Sequence, residues 1–204
     1  MGVLALTRPA EAKIVYTPTH VKFCCEYRYS IDLNHDGISD FQLDTHYNTG
    51  NLGSYQSAWV GAAPYFTQSK NRNSGIKNRR GMGLALALKR GTLVDGKLFG
   101  SSGRYLASEH NGKFGTSSTG QWFNVKNRYL GLMFQIKGKT HYGWARLSVS
   151  TTHSWPPFSV LLTGYAYETM PNKAIIAGKT HGKDEATLGR LAQGASGISD
   201  QGKP

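Results

Sequence analysis

Apolar and polar positions alternate with a period of two through much of this chain, the signature of half-buried β-strands rather than helices. In a first run, Val21, Phe23, Cys25, Tyr27, Tyr29 and Ile31 share one face, with Lys22, Cys24, Glu26 and Arg28 on the other. That alternation predicts a buried Cys25 and a more exposed Cys24, free to pair with another chain. Adjacent Cα atoms stand about 3.8 Å apart, too close for an unstrained disulfide between the two. Phe41, Leu43, Thr45 and Tyr47 repeat the period, and residues 57–60 predict a further strand. In the second half, residues 129–136 and 140–149 flank Lys137-Gly138-Lys139 and predict a β-hairpin. Residues 121–125 and 158–167 read as strands, and Met170-Pro171-Asn172 turns into a last strand over residues 174–177.

Three stretches break the pattern. Residues 68–81 carry no hydrophobic period and predict an exposed loop. Residues 82–88 alternate Leu84, Leu86 and Leu88 with Ala85 and Ala87, which reads as a buried strand but is also compatible with a helix. Asp95-Gly96 marks a turn between Leu93-Val94 and Leu98-Phe99. Residues 179–204 are polar and Gly-rich and predict a mobile tail, in which Leu188, Leu191, Ala192 and Ala195 have the spacing of one short amphipathic helix. The sum is an all-β chain: an antiparallel β-sandwich of jelly-roll type over residues 13–178.

Composition adds a setting. Gly is abundant at 25 of 204 residues, aromatics make up 11% and charged residues only 18%. This suits short strands and tight turns in a secreted or cell-surface protein. Gly2-Val3-Leu4-Ala5-Leu6, followed by Ala10-Glu11-Ala12, predicts that residues 1–12 are the remainder of a signal peptide and that the mature chain starts at Lys13. No run of 18 apolar residues occurs, so no transmembrane helix is expected.

Net charge is +12, with only 12 acids, which predicts an anionic partner. Residues 45–94 hold no acid and seven Lys/Arg; five of these, Lys70, Arg72, Lys77, Arg79 and Arg80, crowd the polar loop. Residues 110–167 hold no acid and six more Lys/Arg. Export argues against nucleic acid and for anionic polysaccharide or a cell-envelope component. Trp144, with Tyr142, Trp122 and Trp155, suits either a sandwich core, the favoured reading, or an aromatic platform for sugar rings.

The scarce acids gather in one place. Asp32-Leu33-Asn34-His35-Asp36-Gly37-Ile38-Ser39-Asp40 sets oxygen-bearing side chains at every second position, with Gly after the third. This is calcium-loop spacing. Asp32, Asn34, Asp36 and Asp40 are the expected side-chain ligands, Ile38 offers its carbonyl, and Gly37 permits the sharp reversal. Leu43 stands where an EF-hand has its bidentate Glu, and strands rather than helices flank the loop, so the expected role of Ca²⁺ is structural. The loop resembles the Asp/Asn-rich calcium repeats of dockerins, thrombospondin-type repeats and FG-GAP repeats.

A wider resemblance joins this loop to Thr140-His-Tyr-Gly-Trp-Ala-Arg-Leu147 and Gly164-Tyr-Ala-Tyr-Glu168. Together they are similar to a group of exported bacterial proteins, some carrying the PEP-CTERM sorting tail. This chain lacks a Pro-Glu-Pro motif and an apolar span. The resemblance implies export and says little about activity.

No G-x-S-x-G, H-E-x-x-H or P-loop motif occurs. Glu109-His110 is expected in an exposed loop. The reading is a non-catalytic calcium-stabilised binding or structural protein. A self-assembling fibre subunit and a carbohydrate-active hydrolase are the alternatives.

Overall fold

The computed structural model describes residues 12–50, 55–64, 75–77, 83–97, 99–100, 104–152 and 155–182. All but Ala12 of the expected signal-peptide remnant and nearly all of the tail, including the residues expected to form its helix, lie outside them. Every named strand pair is antiparallel and no helix occurs among the described residues.

The larger sheet has six strands. Its order is β1 (Ile14–Cys24), β12 (Phe158–Glu168), β11 (Lys139–Thr151), β10 (Val125–Ile136), β5 (Gly75–Lys77) and β7 (Phe99–Gly100). The smaller has five, in the order β2 (Arg28–Ile31), β3 (Phe41–Thr49), β4 (Tyr55–Pro64), β8 (Arg104–Gly112) and β9 (Gly115–Gly120). Their inner faces share one core. Ile31, Phe41, Leu43, Val60 and Leu106 come from the smaller sheet, and Phe23, Leu130, Leu132, Phe134, Leu147 and Leu162 from the larger. Each such side chain contributes about 1.5–3 kcal/mol by leaving water. The antiparallel sandwich expected from the period-two pattern is thus the architecture found.

The larger sheet is also covered on half of its outer face. β6 (Leu93–Val94) pairs with β13 (Ile175–Ile176), and this ribbon and the segment before it close a second core around Leu88, Tyr129, Tyr142, Trp144 and Ala166. Leu88 and Tyr129 exchange backbone hydrogen bonds of 3.0 Å, which tie the cover to β10.

A row of register shifts crosses the sheet below that cover. They fall between Pro18 and Val21 on β1, between Arg146 and Leu147 opposite β12, and between Val125 and Arg128 on β10. Such bulges add twist and re-aim side chains. On β12 the shift flips the alternation: Val160 and Leu162 before it, and Tyr165 and Tyr167 after it, all enter the same core.

Several local expectations change. Residues 21–31 do not form one strand, because Cys25 (φ 61°) and Glu26 (φ 62°) are left-handed and end it; both cysteines are exposed. Within the expected basic loop, Gly75–Lys77 joins the sheet as β5. Residues 84–88 form no strand, only isolated bridges, among them Leu84 with Tyr105 and Leu88 with Tyr129. Leu93-Val94 pairs with β13 and Phe99 with β5, so Asp95-Gly96 turns between two sheets and closes no hairpin. Glu109 and His110 lie within β8 rather than in a loop.

Candidate metal centre

The acidic loop joins β2 to β3, the strand-to-strand position expected from its flanks. Its mouth is closed by the amide of Asp40 donating to the carbonyl of Ile31 at 2.8 Å. The turn inside is set by His35 (φ 58°) and Gly37 (φ 84°), the second a conformation that suits glycine. Asp32 reaches into the loop: its Oδ1 accepts the amide of Asp36 at 3.3 Å and its Oδ2 that of Gly37 at 2.8 Å. Asp36 Oδ1 accepts the amide of Ile38 at 2.9 Å, and its Oδ2 accepts from Asn34 Nδ2 at 3.0 Å. Each carboxylate oxygen has a second lone-pair direction, so capping these amides leaves acceptor capacity.

Asp40 differs from the others. It is buried, at 5% exposure, and its Oδ2 accepts the amide of Leu33 at 2.8 Å. Its pKa is raised to about 7: burial is the main cause, the Leu33 amide opposes it, and the charges of Asp32 and Asp36 add to it. Burial first holds the phenols of Tyr165 and Tyr167 above their usual range; Tyr29 and then Asp32 add to the first, and Asp40 and then Asp32 to the second. His35 Nε2 lies 2.7 Å from Thr17 Oγ1, which fastens the loop to β1 of the other sheet.

Hard oxygen donors of this kind suit Ca²⁺ or Mg²⁺ and exclude soft-ligand sites. Among the described residues no group of three His, Cys, Asp or Glu converges as a ready ligand set. The donor types suit such an ion, but the side chains of the loop would have to draw inward to hold one.

The other expected site residues separate. Lys70, Arg72, Arg79 and Arg80 lie outside the described residues. Lys77 is no part of an exposed basic loop: it is buried in β5, where its Nζ donates to Asp95 Oδ1 and to the carbonyl of Lys97, each at 3.0 Å. Trp144 is no sugar platform. It is fully buried in the second core, edge-on to Tyr129 with ring centroids 5.1 Å apart. Trp122 is equally buried and donates its indole N–H to the carbonyl of Ala85 at 3.1 Å.

Two surfaces were not singled out by the sequence. Below the bulge line the outer face of the larger sheet opens into a groove of about 490 Å³. His20, Lys22 and Lys126 border it with Asn127, Ser148 and Ser150, and no acid lines it. On the opposite sheet Tyr55, Trp59 and Tyr105 stand outward on β4 and β8. A signal for both existed in the alternation of β1, β11 and β4, but the bulges that gather the groove residues have no sequence mark.

Comparison with protein-family models, curated proteins and solved structures finds no match to this chain.

Proposed function

We propose that this is an exported, non-catalytic β-sandwich, stabilised by calcium, that binds anionic polysaccharide. The observation that carries the reading is the groove on the larger sheet. Lys22 and Lys126 face a concave surface that holds hydroxyl and amide groups and no carboxylate, in a chain of net charge +12. A polyanion entering there meets two cations and a set of neutral donors. Val125 and Leu161 give it an apolar floor.

Calcium belongs to the same reading. Bound by Asp32, Asn34, Asp36 and Asp40, with the carbonyl of Ile38, it would neutralise carboxylates that otherwise repel one another and oppose a polyanion. It would also brace the β2–β3 connection against β1 through His35 and Thr17.

Retention on a polyuronate matrix at low salt tests the binding role. The pair Lys22→Ala and Lys126→Ala should elute at lower salt than the parent, while Lys137→Ala with Lys139→Ala, at the distant β10–β11 hairpin tip, should change elution less. Equal elution of the Lys22/Lys126 pair and the parent would remove the groove from the function.

A further inference from the structure

The outer face of the five-stranded sheet carries a line of aromatic side chains that neither core uses. Trp59 lies across its own strand above Gly61; a Cβ at Gly61 would stand 2.6 Å from the indole, so the glycine makes room for the ring to lie flat. Tyr105 meets Trp59 edge-on at 5.6 Å between centroids, and His46 flanks it at 5.4 Å. Glu26 fixes His46 in place, with Oε2 2.9 Å from Nδ1 and Oε1 accepting the neighbouring amide of Tyr47 at 2.7 Å. Further along β4, Tyr55 stacks on His110 at 5.9 Å and 27°. Tyr55 and Tyr105 are 39% and 49% exposed, which is much open ring for a sheet face.

A cleft of about 450 Å³ lies beside Tyr55, walled by His110, Thr116, Ser117 and the β8–β9 turn. That turn is Lys113-Phe114, and Phe114 is 99% exposed. Tight hairpin turns take Gly, Asn or Asp for backbone reasons. A phenylalanine at such a tip satisfies no turn requirement, and its ring contact is the Lys113 ammonium 6.0 Å from the centroid; a residue that breaks a local rule for so little structural return marks function. Its ring and that of Tyr55 both border the cleft, with the hydroxyls of Thr116 and Ser117 and the ammonium of Lys113 around them.

We propose that this face is a stacking site for a polysaccharide chain. Pyranose rings would lie on Tyr55 and Phe114 in the cleft, and the strip of Trp59 and Tyr105 would receive the chain beyond. Aromatic faces suit the apolar C–H face of a sugar ring, and the hydroxyls and His110 suit its equatorial rim. Lys113 would favour a sugar bearing a carboxylate. Trp59 stands four residues from Tyr55 on one strand, about 13 Å at 3.3 Å per residue, so the two stations are spaced for an extended oligomer and not for a monosaccharide. The site is distinct from the basic groove on the other sheet and does not depend on it.

The two differ in salt dependence, which separates them experimentally. At about 1 M sodium chloride the Debye length is about 3 Å and binding by exposed lysines is screened, while stacking persists. Binding of a uronic-acid hexasaccharide and of a neutral β-linked hexasaccharide is measured by calorimetry at low salt and at about 1 M salt. The proteins are the parent, Tyr55→Ser with Phe114→Ser, and Lys22→Ala with Lys126→Ala. The aromatic variant, altered only at exposed side chains, should keep the parent's melting temperature and bind at high salt about tenfold more weakly than the parent. The lysine variant should match the parent at high salt. Equal high-salt binding by the parent and the aromatic variant, or no high-salt binding by the parent, overturns the stacking site. A lysine variant that matches the parent at low salt overturns the groove instead.

Discussion

The ammonium of Lys77, on the strand next to the edge of the larger sheet, and the carboxylate of Asp95 form an ion pair of 3.0 Å, with Lys77 almost fully buried. The Phe99 ring lies 5.4 Å from the same nitrogen, and the carbonyl of Lys97 accepts from it. Burial pushes the Asp95 carboxyl up, but the bonds from Lys77 and the Lys97 amide outweigh it, leaving the pKa below its usual value. Asp95→Asn would leave a buried ammonium without its counter-charge. A loss of about 2 kcal/mol is expected by urea denaturation. Lys77→Met combined with Asp95→Asn should cost less than Asp95→Asn alone, since no charge is then stranded.

Calcium is expected to raise the melting temperature of the parent protein, because an ion held by the native loop and not by the unfolded chain favours folding. Asp36→Ala should abolish that shift and the heat of binding in calorimetry, while leaving the fold of the metal-free protein unchanged. A parent protein that shows neither a shift nor a heat after chelation would exclude calcium from the loop.

Metal-free protein should lose stability as pH rises through the range from 3.8 to about 7, the ordinary and folded pKa values of Asp40. The folded state holds the proton more tightly than the unfolded chain across that window, so the slope of stability with pH is negative there. At about 1.4 kcal/mol per unit the full effect is on the order of 4 kcal/mol. Asp40→Asn should flatten this dependence in denaturant titrations at several pH values. Calcium should flatten it too, by replacing the proton.

Trp144 sits in the second core with its indole N–H unpartnered. Trp144→Ala should cost about 3–5 kcal/mol through the cavity it leaves. Trp144→Phe should cost clearly less, because it removes a buried donor that lacks an acceptor along with part of the ring. Chemical denaturation of both variants checks the order.

Gly120→Ala should destabilise β9 strongly. Gly120 has φ 116°, and a Cβ there would run into the backbone of Leu106 and Ala107, neither of which can move aside cheaply. Faster proteolysis between Gly112 and Trp122 than in the parent is the expected result.

Much of the sandwich was legible because its strands alternate over long stretches, between the bulges, and are joined by clear turns. The turn expected at Lys137-Gly138-Lys139 is made by Lys137 (φ 49°) and Gly138 (φ 75°), and β10 and β11 pair from Ile136 and Lys139 onward. The acidic loop was legible for the same local reason. The break at Cys25 and Glu26 was hidden, since neither residue type announces a left-handed backbone. The burial of Lys77 depends on Asp95 and Lys97, beyond any local window. Trp144 and Trp59 look alike along the chain; only the β6–β13 ribbon, which covers one sheet face and leaves the other bare, decides that the first is core and the second surface.

The first strand pairs with the last long one: Ile14 stands opposite Glu168, and β12 has β1 on one side and β11 on the other. The larger sheet therefore cannot close while the ribosome is still making the middle of the chain. Residues 14–24 must wait, their apolar face uncovered, until residues 158–168 have emerged. Contacts this distant in sequence fold slowly. Under the export proposed above, that delay would be useful, because a strand order that postpones closure keeps the polypeptide threadable.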